Sequence, residues 1–431
     1  MFNQKFWQFT YSSLVLPGLI LALKIISTRN KKLRDTLQGH QGVWERIENQ
    51  LKTRDLQKPL VWFHVASAGE YLQALPVMER LMAAEIQCAL TITSVSGYRW
   101  ANKRKANYSN LVLLDYLPLD TKANMQRLIK CINPNAVVYV KFDLWPNLIW
   151  EIKKANIPQF LISATLQEKS KRVTNFIARN FYDSIYKSLT RILAVTDDDK
   201  KRFLQCSPEL NNVKTVGDTR FDSVLDRKKN LNPPELPGFD TDKPVLILGS
   251  VWPSDEHHIF TGILKALNTF SDLNLIIAPH ETDEEHIKAI EETFSDFQPC
   301  RFTQLQSQAD KTQRIIIIDA VGFLSSLYLY ADVAYVGGAF STGVHNTMEP
   351  AAMGVPSIFG PFYQNSPEAM NMVKNEVCFS IKNSQEFEKI LFKLLEDKEY
   401  CMGKGQAATT YIDQQAGASD ACFAEIKETL A

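Results

Sequence analysis

The chain has 431 residues, 45% of them hydrophobic and 22% charged, and its formal net charge is zero. This composition is typical of a globular protein long enough for two domains, and it excludes a repeat or low-complexity protein. The neutral total hides an asymmetry, because residues 1–225 carry 32 Lys and Arg against 19 Asp and Glu, whereas residues 226–431 carry 16 against 29. The basic half favours an anionic membrane surface or a phosphorylated substrate, and without a dense basic-aromatic array we predict no nucleic-acid partner.

The first predicted element is an apolar N-terminus. The segment "FWQFTYSSLVLPGLILALKII" (residues 6–26) is followed at once by four basic residues, Arg29, Lys31, Lys32 and Arg34. This flank predicts that residues 1–30 form a membrane anchor whose C-terminal side lies in the cytoplasm. Polar residues and Pro17 interrupt the segment, so a spanning helix, an interfacial helix and a helix packed on the protein itself all remain open.

Apolar runs then alternate with helical patterns, as in parallel sheets that are covered on both faces. The predicted strands are LVWFHV (60–65), CALTIT (88–93), AVVYV (136–140), QFLIS (159–163), RILAVT (191–196), VLILGS (245–250), LNLIIAP (273–279), RIIIID (314–319), DVAYVGG (332–338) and PSIFG (356–360). Residues 226–244 contain four prolines and are predicted to be a linker. We therefore predict an α/β protein of two Rossmann-like, doubly wound domains, residues 31–225 and 245–431, with ligands bound in the cleft that they face.

The stretch after the first predicted strand, Ser67-Ala-Gly-Glu70, has two interpretations. A hydroxyl followed three residues later by Glu is a capping box, in which Ser67 caps a helix and Glu70 reaches back to the cap amide. The stretch also lies at the carboxyl end of a strand, where doubly wound folds bind ligands. There, Glu70 would act as a general base that takes a proton from a substrate hydroxyl.

A second motif, "YVGGAFSTGVHNTMEPAAMGVPSIFGP", carries more features than a cap requires. Gly337 and Gly338 end a strand, and Asn346 and Glu349 open a short helix. The glycines would allow close backbone approach to a ligand, the helix amides would hold a phosphate, and Glu349 would chelate ribose hydroxyls. The alternative is again a capping box, with Asn346 as the cap.

Other polar residues follow predicted strands or precede the linker. Lys141 and Asp143 form either a salt bridge or a substrate contact, and Arg220 lies just before the linker. Ser250 occupies a second strand-to-helix turn, and His280 ends another strand.

Neither the histidines nor the cysteines suggest a metal site. The seven cysteines are scattered and form no CxxC motif or Cys/His cluster, and His280 and His286 lack a metal-binding spacing. The sequence therefore predicts a reducing compartment, no disulfide framework, no bound metal and no cofactor.

Taken together and in order, these motifs resemble the transferases of 3-deoxy-D-manno-octulosonic acid (Kdo) in lipopolysaccharide assembly. The matching segments are "WER" (44–46), "HVASAGE" (64–70), "YLPLD" (116–120), "DLWPN" (143–147), "GDTRFD" (217–222), "GGAFSTGVHNTMEPA" (337–351) and "GP" (360–361). The resemblance implies the GT-B glycosyltransferase fold, an N-terminal acceptor domain, a C-terminal nucleotide-sugar domain and inverting transfer of Kdo from CMP-Kdo to a lipid A precursor. It also implies an enzyme at the cytoplasmic face of the inner membrane that works without a bound metal.

The resemblance also implies roles for individual residues. Glu70 matches the general base of the family, while Asn346 and Glu349 match residues that hold the nucleotide. The full candidate set for the donor is Ser250, His280, Gly337, Gly338, Asn346, Thr347 and Glu349. The candidate set for the acceptor or an anion is Ser67, Lys141, Asp143 and Arg220.

The chain departs from the usual family pattern at several positions. Lys141 replaces a usual Glu, an Arg is missing near Thr165, the usual Pro-Arg-His reads Ala278-Pro279-His280, and "GVHN" stands where a second glycine is usual. Lys141, Arg220 and His280 are candidates to replace the missing arginines. Two alternatives remain open, a GT-B enzyme that uses another nucleotide sugar and a non-catalytic membrane-associated relative. A nicotinamide oxidoreductase is disfavoured, because no GxGxxG follows the first strand of either half.

Overall fold

A computed structural model describes residues 3–308 and 310–430, and the side chains of residues 31–33 lie outside the described part. The chain forms two compact units. Unit 1 comprises Met1–Ser223 and Ala416–Ala431, and unit 2 comprises Val224–Gln415.

Unit 1 begins with an apolar helical segment, Gln4–Ser27, whose middle, Tyr11–Val15, is a short π-helical stretch. Within the described residues it is the one helix that is long and apolar enough, by length and composition, to cross a membrane. The aromatic side chains of Trp7 and Tyr11 pack in the core of unit 1, whereas Leu14 and Ile25 are more than half exposed. The segment is therefore packed on unit 1 through its aromatic side chains, while much of its remaining apolar surface is uncovered. Lys31 and Lys32, part of the predicted basic flank, have side chains outside the described residues.

The sheet of unit 1 has seven parallel strands in the order β3-β2-β1-β4-β5-β6-β7. The strands are β1 (Leu60–Val65), β2 (Gln87–Ile92), β3 (Leu111–Tyr116), β4 (Ala136–Val140), β5 (Gln159–Ala164), β6 (Arg191–Ala194) and β7 (Val213–Thr215). The helices are α1 (Gln4–Thr10), α2 (Leu16–Ser27), α3 (Lys31–Gly39), α4 (Val43–Leu51), α5 (Ala68–Ala83), α6 (Val95–Asn102), α7 (Lys122–Ile132), α8 (Pro146–Lys154), α9 (Lys171–Thr174), α10 (Phe176–Tyr186), α11 (Asp197–Cys206) and α12 (Thr219–Lys228), which continues into unit 2. The central strands β1, β2, β4 and β5 are buried along their whole length, as their continuous apolar runs predict.

The sheet of unit 2 is built in the same way, in the order β10-β11-β9-β8-β12-β13-β14. Its strands are β8 (Val245–Val251), β9 (Asn274–Pro279), β10 (Cys300–Arg301), β11 (Ile315–Ile317), β12 (Val333–Val336), β13 (Ser357–Phe359) and β14 (Phe379–Ser380). The helices are α13 (Pro253–Thr269), α14 (Glu284–Thr293), α15 (Leu324–Leu327), α16 (Met348–Ala352), α17 (Pro367–Lys374), α18 (Ser384–Glu396) and α19 (Lys398–Gln414), and α20 (Ala418–Glu428) follows in unit 1. The predicted architecture of two doubly wound α/β sheets is confirmed.

The chain divides differently from the prediction at both ends of unit 2. Residues 226–244 were expected to be an unpacked linker, but α12 runs to Lys228, and Leu236 and Phe239 are buried in a hydrophobic cluster of unit 2. The proline-rich composition suggested an unpacked linker, but burial of these two apolar side chains holds the segment against unit 2.

The C-terminus is the second difference, because the predicted second domain ran to residue 431. Helix α20 instead packs on α5 in unit 1, where Cys422 and Ile426 are buried in the core. The carboxylate of Asp222 accepts hydrogen bonds from the amides of Gly417 and Ser419, at 2.7 and 2.8 Å, and so fixes the start of this helix.

Candidate functional site

The strand order of unit 1 creates a natural binding position. The sequence of strands reverses between β1 and β4, which lie side by side. The chain leaves β1 towards α5 and leaves β4 towards α8, so the loops after these two strands diverge at the carboxyl edge of the sheet. Ligands of doubly wound folds bind at such a switch point. Glu70 follows β1 and Asp143 follows β4, so two of the predicted site residues belong to this position.

Glu70 lies in the first turn of α5 and is 8% exposed. Its amide donates to the hydroxyl of Ser67, the N-cap residue, at 3.4 Å. Its carboxylate atom Oε2 accepts a hydrogen bond from the amide of Ala66 at 2.5 Å, one residue before the cap amide that the capping box predicts. Within the part of the chain that the structure describes, Oε1 makes no hydrogen bond. One oxygen therefore fixes the carboxylate, and the other is left for a proton.

Asp143 is held by its neighbours across the switch point rather than by Lys141. Its Oδ2 lies 2.9 Å from Nε2 of the buried His64 and accepts a hydrogen bond from the Thr93 hydroxyl at 3.3 Å. The prediction of a salt bridge between Lys141 and Asp143 is wrong. Lys141 has a left-handed backbone, with φ 60°, and makes no ion pair within the described residues.

The electrostatics separate the two carboxylates. Burial raises the pKa of Glu70 above its usual value, and nearby Asp143 acts in the same direction, against the amide of Ala66, His64 and Lys141. Burial also favours a high pKa for Asp143, but the hydrogen bond and attraction of His64 outweigh it, and the pKa of Asp143 lies below its usual value. Two neighbouring carboxylates whose pKa values are displaced in opposite directions are typical of a functional site.

Arg220, another predicted anion contact, is engaged within its own segment. Its Nε and Nη2 atoms lie 2.9 and 2.8 Å from Oδ2 of Asp218. Asp218 also accepts the Arg220 amide and a long hydrogen bond from Gln73, at 3.5 Å. The positive charge of Arg220 is thus already compensated by a buried carboxylate.

Several of the motifs that suggested function support the fold of unit 1. Asp120, from "YLPLD", accepts the backbone amides of Asn147 and Leu148 and caps α8, and burial raises the pKa of Asp120 to about 7. Asn147, from "DLWPN", accepts a hydrogen bond from Ser12 of the N-terminal segment at 2.9 Å. Arg46, from "WER", forms a two-pronged ion pair with the buried carboxylate at the end of β3. These motifs therefore tie the N-terminal segment and the first helices to the sheet.

In unit 2 the strand order reverses between β8 and β12, and the predicted glycines lie there. A Cβ on Gly337 would lie 2.2 Å from the carbonyl oxygen of Ser250, and Gly338 has φ 93°. The buried carboxylate of Asp255 accepts the amides of Gly338 and Trp252, at 2.8 and 3.0 Å. Packing of the chain on itself therefore accounts for both glycines, and their contact with a ligand stays a prediction.

The second predicted capping box is wrong. Helix α16 begins at Met348 with Thr347 at its N-cap, and Asn346 lies outside the helix with its side-chain oxygen on the Met348 amide at 3.1 Å. The carboxylate of Glu349 does not reach back but pairs with Arg227 of α12 at 3.0 Å. Thr347 is fully buried, with its hydroxyl 3.8 Å from the Met372 sulfur, so its side chain offers nothing to a ligand.

His280 belongs to a stack of three rings at the carboxyl edge of this sheet. The ring centroid of His280 lies 4.3 Å from that of Trp252 and 4.7 Å from that of His345. The indole of Trp252 donates to Nε2 of His345 at 2.9 Å. His345 must therefore be neutral here, and burial, reinforced by His280, lowers the pKa of His345. His280 itself is exposed, so its ring edge faces solvent.

Sequence reasoning missed four side chains of these sites, His64, Asp255, His345 and Arg227. In the sequence, His64 looks like an ordinary strand residue and Asp255 like an ordinary helix residue, because the partners of both are distant in the chain. His345 was visible as a departure from the family pattern, and the signal for Arg227 was hidden by its assignment to the linker. Within residues 3–308 and 310–430 no group of three or more His, Cys, Asp or Glu side chains could hold a metal ion, and all seven cysteines are free.

Comparisons with known proteins agree with the predicted fold and with the family resemblance. Residues 41–223 match the family model described as 3-deoxy-D-manno-octulosonic-acid transferase (kdotransferase). A 3-deoxy-D-manno-octulosonic acid transferase of Chlamydophila psittaci is 27% identical over 86% of both chains. Another, from Haemophilus influenzae, is 24% identical over 96% of both chains.

Solved structures extend the likeness of the fold to both units. A UDP-GlcNAc 2-epimerase of Neisseria meningitidis superposes with a TM-score of 0.62 at 15% identity, over 86% of this chain and 99% of the other. MurG of Acinetobacter baumannii superposes with a TM-score of 0.52 at 15% identity, over 86% and 99%. At such low identity these structures support the GT-B-like architecture alone.

Proposed function

We propose that the chain is a 3-deoxy-D-manno-octulosonic acid transferase that moves Kdo from CMP-Kdo to a hydroxyl of a lipid A precursor. The match of residues 41–223 to that family and the similarity to its members over most of the chain support this proposal. The acceptor hydroxyl attacks the anomeric carbon of Kdo, and the new carbon–oxygen bond forms as the bond to the CMP phosphate breaks. The hydroxyl proton passes to the enzyme, and CMP leaves with the bonding electron pair. A direct displacement of this kind inverts the anomeric centre.

Glu70 is the proposed base, and its placement carries the proposal. The carboxylate lies at the switch point of unit 1, with one oxygen fixed by the Ala66 amide. Its raised pKa makes it a stronger base than an exposed glutamate. Asp143, with its lowered pKa, stays ionised and disfavours a second negative charge nearby, which further raises the basicity of Glu70.

Unit 2 would hold CMP-Kdo at its own switch point. Glu349, oriented by Arg227, is positioned to accept hydrogen bonds from the ribose hydroxyls, and Asn346 offers an amide beside it. Ser250 and His280 follow the neighbouring strands β8 and β9. The exposed edge of His280 would supply a donor to the phosphate or the Kdo carboxylate in place of the arginines absent from this chain.

The N-terminal segment supports a membrane location. Its exposed apolar residues and the basic excess of residues 1–225 favour attachment to an anionic bilayer at the cytoplasmic face of the inner membrane. The acceptor is itself a phosphorylated lipid, so attachment would bring enzyme and acceptor to the same surface. No metal or cofactor is required by this reaction scheme.

CMP binding and acceptor-dependent CMP release test the proposed donor. We expect Glu349→Gln to weaken CMP binding at least about tenfold, as the loss of hydrogen bonds to a charged group does. Glu399→Gln, at the exposed start of α19, is the matched control and should bind CMP like the parent protein. Equal CMP affinity in Glu349→Gln, or release of CMP that the acceptor does not stimulate, would contradict the proposal. Binding of a different nucleotide sugar in preference would favour another GT-B activity.

A further inference from the structure

Unit 1 contains an apolar pocket beside the carboxylate pair. Its volume is about 610 Å³, within the range of sites that hold organic ligands. Its walls are formed by the N-terminal segment, the loop between β4 and α8, and helices α9 and α10. Six aromatic side chains line it: Trp7, Tyr11, Phe142, Trp145, Phe181 and Tyr182. Such a lining favours a long apolar ligand over a sugar or a nucleotide.

Cationic side chains surround this aromatic pocket. Lys171 lines it directly, the Arg172 guanidinium lies 4.3 Å from the ring centre of Tyr182, and the Lys141 ammonium lies 5.3 Å from that of Phe142. Within the described residues Lys141 has no carboxylate partner. The pocket thus combines an apolar interior with a positive rim, which complements an apolar chain attached to an anionic head group.

The pocket also connects the two features that an amphiphilic substrate must reach. Asp143 belongs both to its wall and to the carboxylate pair at the switch point. At the other side, the wall residue Val15 continues into the exposed apolar surface of the N-terminal segment, where Phe9 and Leu14 are 68% and 66% exposed. A chain in the pocket would extend from the membrane-facing surface towards Glu70.

We propose that this pocket binds one fatty acyl chain of the anionic glycolipid acceptor and so positions the acceptor hydroxyl at Glu70. The identity of the acceptor rests on the proposed function, whereas the binding of an acyl chain is a separate physical property of unit 1. The pocket then acts as a selector for acylated over unacylated acceptors. Each methylene that can no longer be buried weakens binding by about fourfold.

Tryptophan quenching tests chain binding without any turnover. The probe is a lysophosphatidic acid with a mid-chain dibrominated stearoyl group, used below its micelle concentration. Bromine quenches Trp7 and Trp145 when the chain lies in the pocket. The half-exposed Ala178 lines the pocket, so Ala178→Phe fills it and should weaken the saturable quenching at least about tenfold. Ala155→Phe, at the exposed end of α8, is the matched control with unchanged quenching.

Further arms separate the failure of this inference from the failure of the proposed function. Ile177→Ser, on the exposed part of the pocket wall, should weaken quenching by a smaller factor and guards against misfolding of Ala178→Phe. Ala178→Phe should also raise KM for a fully acylated acceptor and leave KM for a short-chain analogue unchanged. Quenching that does not saturate, or that Ala178→Phe leaves intact, overturns the inference. Saturable quenching without Kdo transfer would support the acyl site and contradict the proposed function alone.

Discussion

The double role of Glu70 in capping and catalysis gives a prediction that two variants can separate. Ser67→Ala removes the N-cap hydroxyl but leaves the carboxylate of Glu70. The cap bond is long, at 3.4 Å, so the loss should lie at the low end of the usual range, about 0.5–1 kcal/mol. Transfer by Ser67→Ala should stay within a few-fold of the parent protein.

Glu70→Gln should show the opposite pattern. The Gln carbonyl can still accept the Ala66 amide, and the exchange of a charge-assisted hydrogen bond for a neutral one costs about 1 kcal/mol. Removal of a charge whose burial is unfavourable offsets part of that cost, as the raised pKa of Glu70 indicates. We therefore expect a change in the free energy of unfolding within about 1 kcal/mol, together with a loss of transfer of about 10²-fold or more.

Urea unfolding and initial transfer rates of both variants measure these quantities. The raised pKa adds a further signature, because the acidic limb of kcat/KM should lie above pH 4.5, the ordinary pKa of a glutamate. Activity would fall as the pH drops through the pKa of Glu70. Near-normal transfer by Glu70→Gln would refute the assignment and leave Glu70 with a capping role only.

Three further variants test the supports of the two units. Folded Asp120 keeps its proton up to about pH 7, whereas the unfolded carboxyl releases it near 3.8, so the free energy of unfolding should fall as the pH rises between these values. Asp120→Asn should lose that part of the pH dependence in urea titrations. An unchanged pH profile of the variant would contradict this role of Asp120. Gly337→Ala should destabilise the protein by about 1–3 kcal/mol in thermal unfolding, because the new Cβ would lie 2.2 Å from the Ser250 carbonyl oxygen. The control Gly403→Ala has open space around its Cβ in α19 and should be neutral or stabilise the protein by up to about 1 kcal/mol. Asp222→Ala should destabilise by about 1–3 kcal/mol through the lost bonds to the start of α20, and the exposed Asp413→Ala is its control; equal stability of the two variants would refute that role.

The strands that sequence reasoning found are those with long apolar runs. β1 and β4 were predicted with their observed bounds because both faces are buried, and an apolar run records that directly. β3 was missed, since its run ends in Asp115, whose burial depends on Arg46 from a distant helix. β7, β10 and β14 are only two or three residues long and lie at or beside the sheet edges, so they leave no periodic signal.

The same limit explains which parts of the candidate site were found. Glu70 could be singled out from the sequence because the cap residue, the strand end and the carboxylate are close together in the chain. The partner of Asp143 could not be read, because His64 lies 79 residues away and meets it only when β1 and β4 become neighbours. Glu349 was found, but its pairing with Arg227 across 122 residues requires the packing of α12 and α16 in unit 2.

Mass analysis of the acceptor is the most direct test of the central claim. The detergent-solubilised protein would receive a tetra-acylated lipid A precursor and CMP-Kdo generated in place, with Glu70→Gln treated in parallel. We predict that the acceptor gains the mass of one or more Kdo residues with the parent protein and gains none at matched times with the variant. An unchanged acceptor mass with a parent protein that still binds CMP would contradict Kdo transfer by this chain, and an equal gain with the variant would contradict Glu70 as its base.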